Sequence, residues 1–308
     1  MKKYKPYLNR VDLVKNQVER EELREQEAKR KRSRSIQEQN RQRWLKYQEQ
    51  LRSELAARYF HSVQSTGGES FPNQYSINLD GTDDEAIATL DDNNVIQGTK
   101  TISFWMKLDA YDTREMIMSI RIGSAVDMLS VLKGTNGNIV FQSRTGASNR
   151  ARGTDLSKWD PETTLTNWTH ILVTKEYQGF PNYGTIIKIF INGVDVTNAS
   201  EGGTINAGTD NQIKIGQIGN IGYYGSHLNG KIDELAIFSG HLTSSANIDA
   251  IYNSGVPSDL TDLNPLVWYR MGDIVAGSGS NVPDQGSLAQ GDLVLQHDAQ
   301  FVEDVPTN

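Results

Sequence analysis

Residues 187–196 read IKIFINGVDV, and this stretch decides the fold class. Its first five residues are β-branched or aromatic apart from Lys188, which is typical of a β-strand. The pair Asn192-Gly193 then separates them from VDV. Asn and Gly tolerate the positive φ angles that both central residues of a type I′ turn require, so the stretch predicts a β-hairpin.

Similar short runs continue on both sides of this hairpin from Tyr75 onward, and Gly, Asn and Asp separate them. They read YSINL, TISFWMKL, EMIMSIR, NIVFQS, WTHILVTKE, TIIKIFI, QIKIG, KIDELAIF, LVWYRM and DLVLQ. So many strand-like runs indicate an antiparallel sandwich or barrel. We therefore expect a mainly β domain over residues 75–308.

One helix is expected within this β pattern. Thr243 is a suitable N-cap, and Gly255 follows as a stop signal. Between them, Ile248, Ile251 and Tyr252 form a small apolar face. The helix should therefore lie on the β domain with that face buried.

The first sixty residues differ in composition from the rest of the chain. They contain none of the 27 glycines, and they carry 17 Lys and Arg against 9 Asp and Glu, a net charge of +8. Residues 61–308 hold the remaining 14 basic residues and 29 acidic residues, a net charge of −15. Because the first part is rich in good helix formers, we expect a basic helical arm over residues 1–60 and a linker over residues 61–74.

Two apolar stripes at helical spacing run along the arm and predict a surface that docks onto a partner protein or onto other copies of the chain. A solvated spacer helix is one alternative. Nucleic-acid binding through the basic run KRKRSR at residues 29–34 is another. The docking residues are Val11, Val14, Val18, Trp44, Tyr47, Leu51 and Leu55.

The composition also excludes several classes of protein. The chain has no cysteine, so it has no disulfide framework, thiolate metal site or cysteine nucleophile. It has no apolar run of the roughly 18 residues needed to cross a bilayer, so we expect no membrane span.

Five segments resemble, in order, the strands and the short helix of laminin-G-like domains. They are NWTHILVTKE, IKIFINGVDV, IKIGQIGN, LNGKIDELAIFSGHLTSSANIDAIYNSG and VWYRMGD. The resemblance covers residues 74–304 and implies a concanavalin A-like jelly roll, a sandwich of two antiparallel sheets. The sequence departs from the family in its lack of cysteine and in a long polar insertion from about Arg144 to Thr166.

Calcium is the one ion that the sequence suggests. The turn Asp80-Gly81-Thr82-Asp83-Asp84 offers carboxylates and carbonyls, the hard oxygen ligands that Ca²⁺ prefers. Related laminin-G-like domains often hold calcium at a sheet edge, and the resemblance implies that Asp233, in its Gly-x-Ile-Asp-Glu segment, lies near the first strand pair. The candidate ligands are Asp80, Asp83 and Asp233. The alternative is that these side chains shape turns and accept backbone N–H groups.

Catalysis is not expected. Some proteins of this superfold are glycoside hydrolases, which place two carboxylates in one cleft. Two residues of a strand share a face only when they are an even number of positions apart, and Asp233 and Glu234 are adjacent, so we expect them to face opposite sides. The five histidines show no metal-binding spacing.

The aromatic residues divide into two groups. Trp105, Trp168 and Trp268 lie in strand patterns and are expected in the core. Other rings lie in loops rich in Gly, Asn and Pro, where exposed aromatics stack on sugars, although loop packing is the alternative. The ligand-binding candidates are Trp159, Tyr183, Tyr223 and Tyr224.

Together these features predict a non-enzymatic surface protein. Its arm would anchor it to other assembly proteins or to its own copies as a homo-oligomer, while the acidic β domain binds a cell-surface glycan or a protein. An acidic β domain repels nucleic acid, so we expect a neutral sugar or a basic protein patch as its ligand. The resemblance implies a bacteriophage virion protein, such as a tail fibre or head decoration, assembled in the host cytoplasm and acting outside the cell. A cellular glycan-binding adhesin and a glycoside hydrolase are the alternatives.

Overall fold

The computed structural model describes residues 71–307 except 91–92, 123–126, 146–147, 179–183, 202–211, 217–226 and 289. Within these residues the chain forms mainly β-strands. The strands are β1 (Ser76–Asp80), β2 (Glu85–Thr89), β3 (Lys100–Leu108), β4 (Glu115–Ile122), β5 (Asp127–Lys133), β6 (Ile139–Thr145), β7 (Ser148–Thr154), β8 (Thr169–Gln178), β9 (Gly184–Ile191), β10 (Val194–Asp195), β11 (Thr197–Glu201), β12 (Gln212–Ile215), β13 (Asn229–Ser239), β14 (Val267–Tyr269), β15 (Asn281–Val282), β16 (Leu293–Gln296) and β17 (Gln300–Val302). The helices are α1 (Pro161–Leu165) and α2 (Ser245–Tyr252), with short 3-10 turns at Asn93–Val95, Asn253–Gly255, Thr261–Leu263 and Asp273–Val275.

The described strands form two antiparallel sheets. The first sheet has the order β10-β9-β8-β3-β13-β1-β17, and β14 pairs with the second half of β13. The second sheet has the order β11-β7-β6-β5-β4-β12-β2-β16-β15. Neighbours that are distant in sequence, such as β3 and β13, are typical of a jelly roll. The predicted mainly β, two-sheet architecture is therefore confirmed.

The central strands of the first sheet are buried on both faces over most of their length. In β3, Ser103 pairs with Leu172 and with Ala236, which pack beneath α2, so its neighbour Phe104 faces the second sheet instead. Both Ser103 and Phe104 are buried. Burial on both faces explains why β3, β8 and β13 read as nearly continuous apolar runs.

Helix α2 covers the outer face of the first sheet through an apolar cluster. Ile248 and Ile251 of the predicted apolar face are part of it, and Tyr252 is buried beside it. The cluster consists of Leu172, Phe190, Ala236, Phe238, Ile248, Ile251, Leu260 and Trp268.

The ends of α2 differ from the prediction by one or two residues. Ser244, not Thr243, is the N-cap, because its side chain accepts the backbone N–H of Asn247 at 3.2 Å. The helix stops at Asn253, which adopts a left-handed conformation before Gly255 is reached. Asn accepts this conformation more readily than other non-glycine residues, so it ends the helix early.

The hairpin predicted at Asn192-Gly193 is confirmed. Asn192 and Gly193 have φ angles of 49° and 78°, and Ile191 pairs with Val194 across the turn. The Asn192 side chain also accepts the backbone N–H of His170 at 2.9 Å. The turn is thereby fixed to the neighbouring strand β8.

The polar stretch from Arg144 to Thr166 is more regular than its composition suggests. It contains β7, which pairs with β6, and the short helix α1, which begins with Pro161. This part of the domain is therefore an added strand and a helical turn, not an irregular loop.

The predicted arm and its docking residues lie outside the described residues. They are Val11, Val14, Val18, Trp44, Tyr47, Leu51 and Leu55. Among the helices that the structure describes, none is long and apolar enough to cross a membrane.

Candidate functional site

Three loops meet at one end of the sandwich, where β1, β3 and β16 terminate. Asp80, the last residue of β1, pairs with Asn229 of β13. The carbonyl of Asn229 accepts the backbone N–H of Asp109 in the β3–β4 loop. The backbone N–H of Asp298, in the β16–β17 turn, donates to Asp84. We call this end of the domain, with turn 80–84 and loops 109–114 and 297–299, the acidic end.

The turn between β1 and β2 places three carboxylates together. One ligand oxygen from each of Asp80, Asp83 and Asp84 lies within 4.8 Å of the others. Asp84 is buried and accepts the backbone N–H groups of Asp80 and Asp298, both at 2.9 Å. Asp80 and Asp83 are exposed. Asp84 therefore fixes the shape of the turn, and the other two present their oxygens to solvent.

The protonation of these carboxylates follows from their surroundings. The backbone N–H of Thr82 donates to Asp80 at 2.7 Å, and this hydrogen bond holds the pKa of Asp80 below its usual range. Burial raises the pKa of Asp84. The Nδ1 atom of His297 lies 3.6 Å from the Asp83 carboxylate.

The turn fits the donor requirements of calcium. Ca²⁺ prefers hard oxygen ligands and tolerates irregular geometry, and three clustered carboxylates supply such oxygens. The sequence prediction named Asp80 and Asp83, and the structure brings both together with Asp84. Asp84 belongs to the same turn, but its inward position involves Asp298, 214 residues away, and could not be predicted from the local sequence.

Asp233 does not join this turn, so its prediction as a metal ligand is wrong. The β1 partner of Asn229 is Asp80, and Asp233 lies four residues farther along β13. At roughly 3.3 Å per residue this places it about 13 Å away along the strand. Asp233 is fully buried and accepts the Asn73 side-chain N–H at 3.0 Å.

The expectation that Asp233 and Glu234 face opposite sides also fails. A β-bulge interrupts the register between Asp233 and Ala236, and Glu234 has a φ of 48°. Both acidic side chains are buried, and Glu234 accepts hydrogen bonds from Trp268 and Arg270. A bulge adds a residue to one strand and breaks the alternation on which the prediction rested.

The aromatic candidates are not confirmed as a binding surface. Trp159 is only 4% exposed, so its prediction as an exposed ligand-binding ring is wrong: its loop packs inward. Tyr183, Tyr223 and Tyr224 lie outside the described residues. The predicted core positions of Trp105 and Trp268 are confirmed.

Trp168, by contrast, is half-buried and belongs to a polar row that the sequence did not reveal. Its indole Nε1 donates to Asp304 at 2.8 Å. Lys107 and Lys231, which are direct partners on β3 and β13, lie 2.8 and 3.4 Å from the same carboxylate. The three contacts fasten the C-terminal tail to the first sheet.

A serine–histidine pair, Ser103 and His170, lies beneath α2. Its atoms Oγ and Nε2 are 2.8 Å apart, and burial lowers the pKa of His170 to about 3. The other ring nitrogen of His170 is buried and has no hydrogen-bond partner among the described residues. Without access or an orienting carboxylate, the pair lacks the arrangement of a nucleophile and its base.

Residues 79–246, more than half of the chain, match the family model of the concanavalin A-like lectin/glucanases superfamily. The chain belongs to this superfamily. The laminin-G-like resemblance of the sequence is thereby confirmed.

Solved structures that are similar to this chain come from varied sources. A candidate carbohydrate-binding protein from Bacteroides ovatus has a TM-score of 0.50 and 14% identity, covering 78% of this chain and 63% of that one. The present chain thus spans less than two thirds of that protein. A heptameric SAP-like pentraxin from Limulus polyphemus gives 0.40 and 14%, covering 60% and 84%. The binding domain of botulinum neurotoxin DC gives 0.41 and 18%, covering 71% and 54%. The comparison with curated proteins gives no match.

Proposed function

We propose that the β domain is a non-enzymatic binding module for a neutral glycan, which it holds at the acidic end. The observation that carries the proposal is the clustering of Asp80, Asp83 and Asp84 on a turn beside Asn229. Carboxylates accept hydrogen bonds from sugar hydroxyls, and carboxamides both accept and donate such bonds. Membership of a superfamily that includes lectins supports a sugar as the ligand.

Calcium completes this proposal. Asp80, Asp83 and Asp84 would hold the ion. A bound Ca²⁺ can in turn be ligated by sugar hydroxyls. Asp84 would keep the turn in place through its two backbone hydrogen bonds. The turn, and not the ligand, would set the positions of the exposed Asp80 and Asp83 side chains.

The acidic pair Asp233 and Glu234 supports binding over hydrolysis. The acidic pair on β13 is buried, and Glu234 is engaged by Arg270 at 3.2 Å and Trp268 at 2.7 Å. A glycosidase needs an acid and a second carboxylate on either side of an accessible bond. This pair has no access to a polysaccharide chain.

A glycan array tests the proposal with the full-length protein. We expect binding to neutral glycans with millimolar Ca²⁺ and loss of binding in EDTA, together with a rise in melting temperature on adding Ca²⁺. Asp80→Asn combined with Asp83→Asn should abolish both effects. Asp262→Asn, on an exposed residue of another turn, is the matched control and should change neither.

Two results would contradict the proposal. Release of reducing ends from a bound glycan would identify an enzyme. Binding that is indifferent to EDTA and to the Asp80/Asp83 double variant would move the site away from the acidic end. In that case alanine at Tyr183, Tyr223 and Tyr224, whose role is still a prediction, locates the surface.

We also propose that the arm anchors the protein in a virion or a comparable assembly, with the β domain facing outward. The charge difference between residues 1–60 and 61–308 supports two different partners. Replacing Leu51 and Leu55 with Asp should prevent incorporation into purified particles, because a carboxylate in an apolar contact is costly. Normal incorporation of this variant would exclude the docking role, and recovery of the protein on cell surfaces instead of particles would favour an adhesin.

A further inference from the structure

Residues 71–75, which we call the N-terminal strap, are held against the outer face of the first sheet by ring stacking and hydrogen bonds. Phe71 stacks at 11° to the ring of Trp268, and the guanidinium of Arg270 lies 4.0 Å from the centre of the Phe71 ring. Arg270 also donates to the carbonyl of Pro72. The backbone N–H groups of Gln74 and Tyr75 donate to Asp273 at 2.8 and 2.9 Å.

Beneath the strap lies a buried cluster of three carboxylates and one guanidinium, which we call the acid cluster. Arg270 contacts Glu234 at 3.2 Å and Asp273 at 2.8 Å, and Asp233 adjoins Glu234 in the bulge. The exposed fractions of the Asp233 residue and of the Glu234, Asp273 and Arg270 side chains are 0%, 3%, 5% and 10%. With every carboxyl ionised, three negative charges would face one positive charge away from water.

The cost of burying unpaired charge decides which group keeps a proton. Burial raises the pKa of Glu234 to about 7, although its hydrogen bonds from Arg270 and Trp268 favour the charged form. Asp233 accepts only neutral donors among the described residues, the Asn73 amide at 3.0 Å and the Glu234 backbone N–H at 2.8 Å. Burial and the neighbouring Glu234 carboxylate raise the pKa of Asp233 well above its usual value.

No other described group reverses this balance. On β3 the register partner of Asp233 is Trp105, an uncharged side chain. His170, in contact with Trp105, is neutral because burial lowers its pKa to about 3. Lys231 and Lys107 lie two residues farther along their strands and are engaged with Asp304.

We propose that the acid cluster holds one proton near neutral pH, centred on Asp233, and acts as a pH-dependent latch that releases the N-terminal strap when this proton is lost. An acidic group whose pKa is higher in the closed state than in the open state stabilises the closed state, and this stabilisation is complete at low pH. That contribution is lost as the pH rises through the closed-state pKa. Closure therefore weakens by up to about tenfold per pH unit until the proton has gone.

Carbon-13 NMR of the aspartate and glutamate carboxyl groups in the full-length wild-type protein tests the proton directly. We expect the Asp233 carboxyl group to titrate well above the usual range of aspartate. Titration of Asp233 within the usual aspartate range would overturn the proposal, whatever Glu234 does. This measurement requires no variant.

Hydrogen exchange tests the latch itself. The protection factors of the Gln74 and Tyr75 amides, corrected for intrinsic exchange, should fall at least about tenfold between pH 5.5 and pH 8.5. Asp233→Asn, which stays neutral, should keep both amides protected at pH 8.5 and remove the unusual titration. Asp262→Asn should behave as the wild type. If strap protection is independent of pH, or if Asp233→Asn retains the wild-type pH dependence, Asp233 is a structural acid and not a latch.

Discussion

Lys133 shows at the scale of one residue how the acidic end is held together. Its ammonium group is fully buried and donates to the carbonyls of Ala110, Tyr111 and Thr113 at 3.3, 3.1 and 2.6 Å. The Glu115 carboxylate lies 3.7 Å away. Burial lowers the pKa of Lys133 and raises that of Glu115, and their mutual attraction opposes both shifts. The side chain thus acts as an internal cation that shapes the β3–β4 loop.

Replacing Lys133 with Met should destabilise the domain by about 3–5 kcal/mol, because it leaves Glu115 as a buried charge without its partner. Chemical denaturation measures this loss. Lys158→Met, at an exposed lysine, is the control and should change the free energy of unfolding by less than about 0.5 kcal/mol. The double variant Lys133→Met/Glu115→Gln should recover part of the loss. A single variant as stable as the wild type would show that Lys133 is dispensable for the loop.

Single residues were predicted well where local pattern decides their environment and poorly where a distant partner does. Trp105 and Trp268 lie in strands, and alternation places them in the core. Trp159 lies in a polar loop, and only the folding of that loop buries it. The buried Asp233 is hydrogen-bonded to Asn73, 160 residues away, and no local pattern connects the two.

Among the elements, the β9–β10 hairpin has the clearest requirement for one residue type. Gly193 has a φ of 78°, and a Cβ atom at this position would lie 3.1 Å from the ring of Tyr252 in α2. The turn therefore demands glycine both for its backbone conformation and for the close approach of the helix.

Two alanine variants separate these causes. Gly279 has a similar φ of 76° with nothing within 4 Å of a Cβ atom. Gly279→Ala should lose about 1 kcal/mol through backbone conformation alone, and Gly193→Ala should lose more because Tyr252 must also move. Thermal or chemical unfolding measures both. Equal losses would mean that the helix accommodates a methyl group without cost.

The elements recognised from the sequence are those with an apolar pattern of their own. All ten quoted runs contain or overlap strands, because burial selects β-branched and aromatic residues there. Strand β7 reads SNRARGT and has no such pattern. It forms because β6 offers it a hydrogen-bonding edge, which is a tertiary cause invisible in the local sequence.

At the scale of the whole molecule, the boundary between the arm and the β domain stays a prediction. A fragment beginning at Ser70 should be soluble and unfold cooperatively, because it contains both sheets and the complete N-terminal strap. A fragment beginning at Ser76 should be less stable by at least about 2 kcal/mol, since Asp273 and Arg270 lose hydrogen-bond partners. Calorimetry distinguishes the two. Aggregation of the longer fragment would show that the domain needs residues before Ser70.

The superfamily fold could be predicted from the sequence, whereas the candidate site could be predicted only in part. Order and spacing of strand motifs are enough to suggest a jelly roll, because the β pattern repeats along most of the domain. The site depends on loops, and loops are positioned by contacts such as Asp298 with Asp84, which are 214 residues apart. Tyr183, Tyr223 and Tyr224 remain predictions.

The register between β17, at the edge of the first sheet, and its neighbour β1 has a mechanical consequence. Ser76, at the start of β1, pairs with Val302, at the end of β17, so the chain enters and leaves the domain at the same end of this ladder. A force applied through the two ends of the domain would separate these strands one residue pair at a time. It would not slide them past each other. Three residue pairs join these strands. Resistance to such a load would then fall first on the N-terminal strap and on the ion pairs of Asp304. If the protein is tethered under tension, these side-chain contacts set the force at which the domain begins to open.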